Sequence, residues 1–236
     1  MESLRVGFER LGIGYDTELL KKFSQYMEGI LDWNVKVNLT AITDRDEFIK
    51  KHYIDSIVCA GQEEIENAES VIDVGTGAGF PGIPLALIYP KKRFVLMDSL
   101  NKRLKIIDEL CHEIGIENVT VLHGRAEDLA QKPEYRESFD LCVSRAVANL
   151  ATLSEYCLPF VKPGGYFMAY KGPECEAELT DAKKAINILG GSVEDIRTAG
   201  LENLDLSHKL LYIKKTKATP SKYPRKAGTP SKQPIR

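Results

Sequence analysis

The chain is poor in the residue patterns that build extracellular scaffolds, metal sites and membrane spans. Its five cysteines (Cys59, Cys111, Cys142, Cys157, Cys175) include no Cys-x-x-Cys pair, and its four histidines lack metal-ligand spacing. That combination argues against a structural zinc and for a reducing compartment, so the expected location is the cytoplasm, with no metal. No apolar run approaches the roughly 20 residues of a membrane span, and Met1-Glu2-Ser3-Leu4-Arg5 lacks the apolar stretch of a signal peptide. Acid is missing from one end: residues 209 to 236 hold nine Lys or Arg and no Asp or Glu, so the net charge of −2 leaves the first 208 residues at −11. A cationic terminus on an acidic body points to an anionic partner such as nucleic acid.

What is present suits one domain of moderate size. The 236 residues are 43% hydrophobic, enough for a full core and a chain expected to fold alone as a monomer. The centre of the sequence is Val71 to Leu87, Val-Ile-Asp-Val-Gly-Thr-Gly-Ala-Gly-Phe-Pro-Gly-Ile-Pro-Leu-Ala-Leu. Mostly β-branched positions carry an acid at Asp73, break into glycines and resume as an apolar run, a pattern of strand, tight loop and helix. A dinucleotide fingerprint counted from Gly75 places its third glycine at position 80, where this chain has Phe80. The pattern present, Asp73-x-Gly75-x-Gly77-x-Gly79, resembles motif I of the S-adenosylmethionine-dependent methyltransferases. That cofactor has no diphosphate. The loop must instead let backbone approach an amino-acid moiety, with the next helix N-terminus favouring its carboxylate.

The first 60 residues read as helical. Leu19, Leu20, Phe23, Tyr26, Met27, Ile30 and Leu31 trace one stripe after a cap at Asp16, and a further helix is expected from Asp44 with Glu47 completing a capping box. These form an N-terminal helical layer over the sheet. Within it, Asn38 and Thr40 read either as turn residues or as site residues, and His52 and Asp55, one helical turn apart, either as a structural pair or as functional groups. Beyond the glycine loop, Arg93 to Met97 gives a strand ending in Asp98, where this architecture needs an acceptor for two ribose hydroxyls. Helix Asn101 to Ile114 and strand Asn118 to Leu122 follow. Ala126 and Glu127 stand where such a fold holds the adenine, although Glu127 and Asp128 equally suit the first turn of a helix.

The fourth strand, Phe139 to Val143, leads into Ser144-Arg145-Ala146. Enzymes that methylate an exocyclic base amine carry Asn/Asp-Pro-Pro-Tyr/Phe there, and this chain has none; nor does it have the Pro-Cys of the C5-cytosine enzymes. Arg145 beside the expected methyl group suits orienting a base or phosphate, with a structural ion pair as the alternative. Lys171 closes a fifth strand at the same sheet edge. Helix Glu174 to Leu189 and strands Ser192 to Thr198 and Lys209 to Ile213 complete an α/β, doubly wound, Rossmann-like class I methyltransferase sheet. The expected division is residues 1–60 for the helical layer, 61–215 for the cofactor-binding domain and 216–236 for a basic, Pro-rich arm. That arm is either disordered or an extended segment placing Lys222, Arg225 and Lys226 on RNA backbone.

Taken together, Asn38-Leu39-Thr40-Ala41-Ile42, His52-Tyr53-Ile54-Asp55-Ser56, the glycine loop, Asp98-Ser99, Ser144-Arg145-Ala146 and Tyr223-Pro-Arg-Lys-Ala-Gly-Thr-Pro resemble the bacterial glucose-inhibited division protein B family over nearly the whole chain. The resemblance implies a 16S ribosomal RNA guanine-N7 methyltransferase whose partner is that RNA or the small ribosomal subunit. It also implies that Gly75 and Phe80 contact S-adenosylmethionine, that Ala126 and Glu127 hold its adenine, that Arg145 and more weakly Lys171 serve the transfer, and that Asn38 and His52 face RNA. The chain ends in Lys232-Gln-Pro-Ile-Arg where a final Pro-Leu is common in the family. The rival classes are a methyltransferase-fold assembly factor without catalysis and a small-molecule methyltransferase.

Overall fold

The computed structural model describes residues 1–198 and 208–235; residues 199–207 of the expected cofactor-binding domain and residue 236 of the expected arm lie outside the described residues. Seven strands form one sheet in the order β3-β2-β1-β4-β5-β7-β6. They are β1 (Ser70–Val74), β2 (Arg93–Asp98), β3 (Val119–His123), β4 (Phe139–Arg145), β5 (Val161–Lys171), β6 (Gly191–Thr198) and β7 (Lys209–Lys215). The first five are parallel, while β7 runs antiparallel to β5 and β6. The helices in chain order are α1 (Glu2–Leu11), α2 (Thr17–Asn34), α3 (Arg45–Phe48), α4 (Asp55–Ile57), α5 (Glu63–Glu66), α6 (Gly82–Ile88), α7 (Asn101–Ile114), α8 (Ala126–Leu129), α9 (Leu150–Cys157), α10 (Cys175–Ile188) and α11 (Thr229–Lys232).

The two faces of the sheet bury separate cores, and the alternation along each strand decides which residue goes where. Val71, Phe94, Leu96, Leu141, Val143, Met168 and Tyr212 face the side covered by α1, α2, α6 and α7. Ile72, Val95, Met97, Cys142, Phe167 and Ile213 face the side covered by α9 and α10. The N-terminal helices therefore share one continuous core with the sheet, from Leu4 and Phe8 through Tyr26 and Ile57 to Leu85.

Local chemistry explains most element ends. Asp16 caps α2 by accepting from the Leu19 amide at 2.7 Å, and Asp44 caps α3 from the Glu47 amide at 2.9 Å. Only half of the expected capping box forms, because the Glu47 carboxylate turns forward to Lys51 at 3.1 Å. The helix expected from Asp44 is not regular either: Ile49–Ile54 is a π-helical turn between α3 and α4, a feature that concentrates at functional sites. The fifth strand is irregular near its start, with Val161 opposite Phe139 and Tyr166 opposite Leu141, so residues 162–165 bulge at Pro163-Gly164-Gly165.

The Pro-rich arm is ordered on the body. Arg136 donates to the carbonyls of Ala130, Thr219, Pro220 and Tyr223, Gln131 donates to that of Pro224, and Thr152 to that of Pro230. Prolines cannot donate backbone bonds of their own, so side chains of the body satisfy the arm's carbonyls instead.

Candidate active site

The C-terminal tips of β1, β2, β4 and β5 meet on one edge of the sheet, around the point where the strand order reverses between β1 and β4, and such a crevice is where open α/β sheets bind ligands. A cleft of about 280 Å³ opens there, lined among others by Gly75, Asp98, Ala126, Glu127, Val147 and Tyr156. The glycine loop borders it at Gly75, and Gly75, Gly77 and Gly79 take φ of +76°, +61° and +88°. At Gly77 an added Cβ would meet nothing within 4 Å, whereas at Gly75 it would collide with Val147 at 2.4 Å. Gly77 thus leaves its backbone uncovered. Asp98 holds this loop in place, accepting from the amides of Gly77 at 3.0 Å and Leu100 at 2.8 Å.

Asp73 lies behind the loop rather than in the cleft. Fully buried, it accepts from the Thr76 hydroxyl at 2.7 Å and the Gly82 amide at 2.9 Å through one oxygen. Burial pushes its carboxyl up to about 7, against those two hydrogen bonds, which pull it down. Among the described residues its other oxygen, Oδ1, is the one buried side-chain polar atom without a partner. The glycine backbone and an acid at the tip of β2 together fit a cofactor with an amino-acid end and a ribose.

Phe80, expected to contact the cofactor, follows Gly79 in the loop, and its ring turns into the helical layer. It stacks flat on His52, with centroids 4.5 Å apart and planes at 0°, and packs edge-on against Phe48 and Tyr53. The Arg145 guanidinium carbon lies 5.7 Å from the centroid of the Phe80 ring. The phenol of Tyr26 in α2 donates to the Ala78 carbonyl at 3.1 Å, so the helical layer grips the cofactor loop directly.

Arg145, at the tip of β4, is held from three positions of one segment. Its guanidinium donates to the Lys51 carbonyl at 3.1 Å, to Asp55 at 2.5 Å and to His52 Nδ1 at 3.4 Å. The π-helical turn is what aims residues 51, 52 and 55 at one target. Arginine has no acceptor, so His52 Nδ1 must accept and Nε2 must carry the proton, which it gives to the Thr40 hydroxyl at 2.7 Å. Burial, reinforced by the Arg145 charge, lowers His52 to about 3 and keeps the ring neutral. Asp55 is 1% exposed; burial would raise its carboxyl, but hydrogen bonding from His208 and the charge of Arg145 outweigh this and hold it below the usual range. Beyond Arg145 the backbone turns through Ala146 at φ +58° into the cleft wall.

Several expected site residues stand elsewhere than anticipated. His52 has both ring nitrogens committed inside the protein, so it props Arg145 and offers RNA no hydrogen bond. Lys171 does not approach Arg145 as a catalytic cation: its ammonium donates to the Ala148 carbonyl and to Glu178, both at 2.7 Å, and so ties down the loop that follows Arg145. Arg225 is turned inward onto Glu155, a carboxylate with no exposure, at 2.7 Å, because that buried charge requires a counter-ion. Lys209, Lys214 and Lys215 likewise pair with Glu176, Glu194 and Glu137, which absorbs much of the charge asymmetry. Lys222, Lys226 and Asn38 are exposed.

Sequence reasoning missed Glu155, Arg136 and the role of Thr40. An acid inside the apolar run Leu150 to Leu158, with no basic neighbour one turn away, was the available signal for Glu155. Among the described residues no helix is long and apolar enough to cross a membrane, and no cluster of three or more His, Cys, Asp or Glu is arranged to hold a metal.

Comparison with known proteins agrees with this geometry. The model of the GidB family, described as rRNA small subunit methyltransferase G, matches residues 19–207. The chain is 52% identical over 232 residues to the ribosomal RNA small subunit methyltransferase G of Clostridium novyi, covering 98% of this chain and 96% of that protein. It is 47% identical over 233 residues to that of Alkaliphilus metalliredigens, covering 99% and 98%. Solved structures share the fold at low identity. An O-methyltransferase from Bacillus cereus superposes with a TM-score of 0.58 at 18% identity, over 86% of this chain and 93% of that one. A fibrillarin pre-rRNA processing protein from Methanococcus jannaschii gives 0.56 at 17%, over 72% and 77%. The fold, the cleft and the relatedness over nearly the full length converge: this chain belongs to the GidB family of rRNA small subunit methyltransferases.

Proposed function

We propose that this protein transfers a methyl group from S-adenosylmethionine to N7 of a guanine in the 16S RNA of the small ribosomal subunit. The observation that carries the reading is Arg145, fixed at the tip of β4 by Asp55, His52 and the Lys51 carbonyl beside the glycine-loop cleft. The loop at Gly75 and Gly77 would hold the amino-acid end of the cofactor, Asp98 its ribose, and Ala126 with Glu127 its adenine. When bound, the cofactor supplies a methyl group activated on a sulfonium.

The residues around Arg145 suit a reaction that needs alignment and not proton removal. Guanine N7 has an in-plane lone pair, so no base is needed to expose it. Arg145 cannot take a proton at all, and His52, neutral with both nitrogens engaged, is not free to act as one. What Arg145 does supply is a fixed fork of donors, which would orient the target guanine or a neighbouring phosphate. The exposed Lys222, Lys226 and Asn38 are the proposed contacts to the rest of the RNA.

Supporting this reading are the relatives, which are ribosomal RNA small subunit methyltransferases G, and the missing Asn/Asp-Pro-Pro-Tyr/Phe. The test is incubation with isotope-labelled S-adenosylmethionine and small subunits or 16S RNA from a strain lacking the enzyme, followed by mass spectrometry of the nucleosides. The expected result is 7-methylguanosine at one site. Label in another nucleoside, or none in RNA, would overturn it in favour of another target atom or another substrate class.

A further inference from the structure

We propose that the C-terminal arm is part of the cofactor site, with the Gly228 amide acting as the positioning group for Glu127. The arm carries the chain's excess of positive charge and invites a reading as an RNA clamp, yet its best-made contacts point inward. Gly228 donates its amide to Glu127 Oε1 at 2.8 Å. Glu127 is 5% exposed and lines the cleft, and among the described residues no protein group bonds its other oxygen. The Ser231 hydroxyl, in the next turn of the arm, donates back to the Gly228 carbonyl at 3.1 Å.

Everything around Gly228 serves to keep that amide in place. Before it, Arg225 donates both its backbone amide and its guanidinium to the buried Glu155. After it, the Pro230 carbonyl accepts from Thr152. Gly228 itself sits at φ +82°, a left-handed conformation that aims the amide at the carboxylate, and an added Cβ there would meet nothing within 4 Å. Glycine is therefore favoured at this position by the backbone and not by lack of room. A carboxylate with one oxygen pinned has fewer rotamers to lose when its free oxygen engages a ligand, and this preorganisation strengthens binding. The inference rests on assigning the cleft to S-adenosylmethionine, and it concerns cofactor affinity, which is measured without RNA.

Because space is free at Gly228, two full-length variants separate the backbone effect from simple bulk. Gly228→Asn tolerates a left-handed backbone, whereas Gly228→Val does not. In calorimetric titration with S-adenosylhomocysteine, Gly228→Val is expected to weaken binding roughly five- to tenfold and Gly228→Asn to remain within about twofold of wild type. In steady-state transfer the Val variant is expected to raise KM for S-adenosylmethionine by the same factor, leaving KM for RNA unchanged. A Glu127→Ala background supplies the decisive comparison, since a group acting through Glu127 has nothing left to position, and adding Gly228→Val should then cost no further affinity. The proposal is overturned if Gly228→Val binds S-adenosylhomocysteine as wild type does. It is equally overturned if the loss persists in full without Glu127, or if RNA affinity falls while cofactor affinity stays. A failure to methylate 16S RNA with cofactor binding intact would instead sink the function proposed above and leave this test standing.

Discussion

The neutrality of His52 makes a pH-dependent prediction that can be worked through. In the folded protein burial and the Arg145 charge lower the ring to about 3, whereas in the unfolded chain it titrates near its ordinary value of about 6.5. Between those two values the unfolded state binds a proton that the folded state does not, so stability falls as pH drops through that window and is fully present above it. Over the interval from pH 7.5 to 5.0 this amounts to about 2 kcal/mol, at 1.36 kcal/mol per unit over the part below 6.5. Asp73 slopes the other way: its carboxyl, raised by burial to about 7, favours the folded state at low pH and loses that contribution as pH rises through 4 to 7. The informative quantity is therefore a difference between proteins. Urea unfolding of wild type and His52→Gln at both pH values should show the wild type losing about 2 kcal/mol more than the variant on acidification. Arg145→Gln should show an intermediate loss, because it removes one of the two causes. Parallel losses in wild type and His52→Gln would refute the neutral-histidine account of how Arg145 is held.

Arg145→Ala is expected to bind S-adenosylhomocysteine within about twofold of wild type by calorimetry while methyl transfer drops by on the order of a hundredfold, the scale of a lost orienting group; wild-type-like turnover would remove Arg145 from the site. Asp98→Ala removes both the Gly77 and Leu100 amide contacts together with the proposed ribose acceptor. Cofactor affinity should fall by roughly tenfold or more, and an unchanged titration would place the ribose elsewhere. Arg225→Ala leaves the Glu155 charge buried without its partner, which should destabilise the fold by about 3 kcal/mol in urea unfolding. Arg225→Lys should recover only part of this, because an ammonium cannot reproduce the forked contact; full recovery would show that charge alone suffices.

The elements most legible from the sequence were those whose signal is local. The stripe of α2 behind its Asp16 cap, the glycine loop, and helix Asn101 to Ile114 closed by Gly115 each carry their periodicity and end signals within a few residues. The doubly wound sheet class followed from the alternation of strand and helix, since parallel strands need crossovers, whereas the strand order came from the structure. Less legible were the features set by a distant partner. The π-helical turn at Ile49–Ile54 has no composition of its own and is tied to Arg145, some ninety residues away in the chain, through Lys51, His52 and Asp55. The side chain of Lys171 was placed at the right sheet edge but not on its true partners, Ala148 and Glu178.

By itself, then, the sequence determined the fold class, the cofactor loop and the acid at the tip of β2, because these depend on spacing along the chain and on backbone freedom at glycine. Only the tertiary structure decided which charges meet. Nine basic residues at one end read as a surface for RNA, yet four of them answer acids of the body, and Arg225 goes to Glu155, which burial leaves no other way to compensate. Charge counting sees the number of ions and not their depth. Desolvation, which depends on what packs around each group in three dimensions, sends Arg225 inward to Glu155 and leaves the arm's lysines outside.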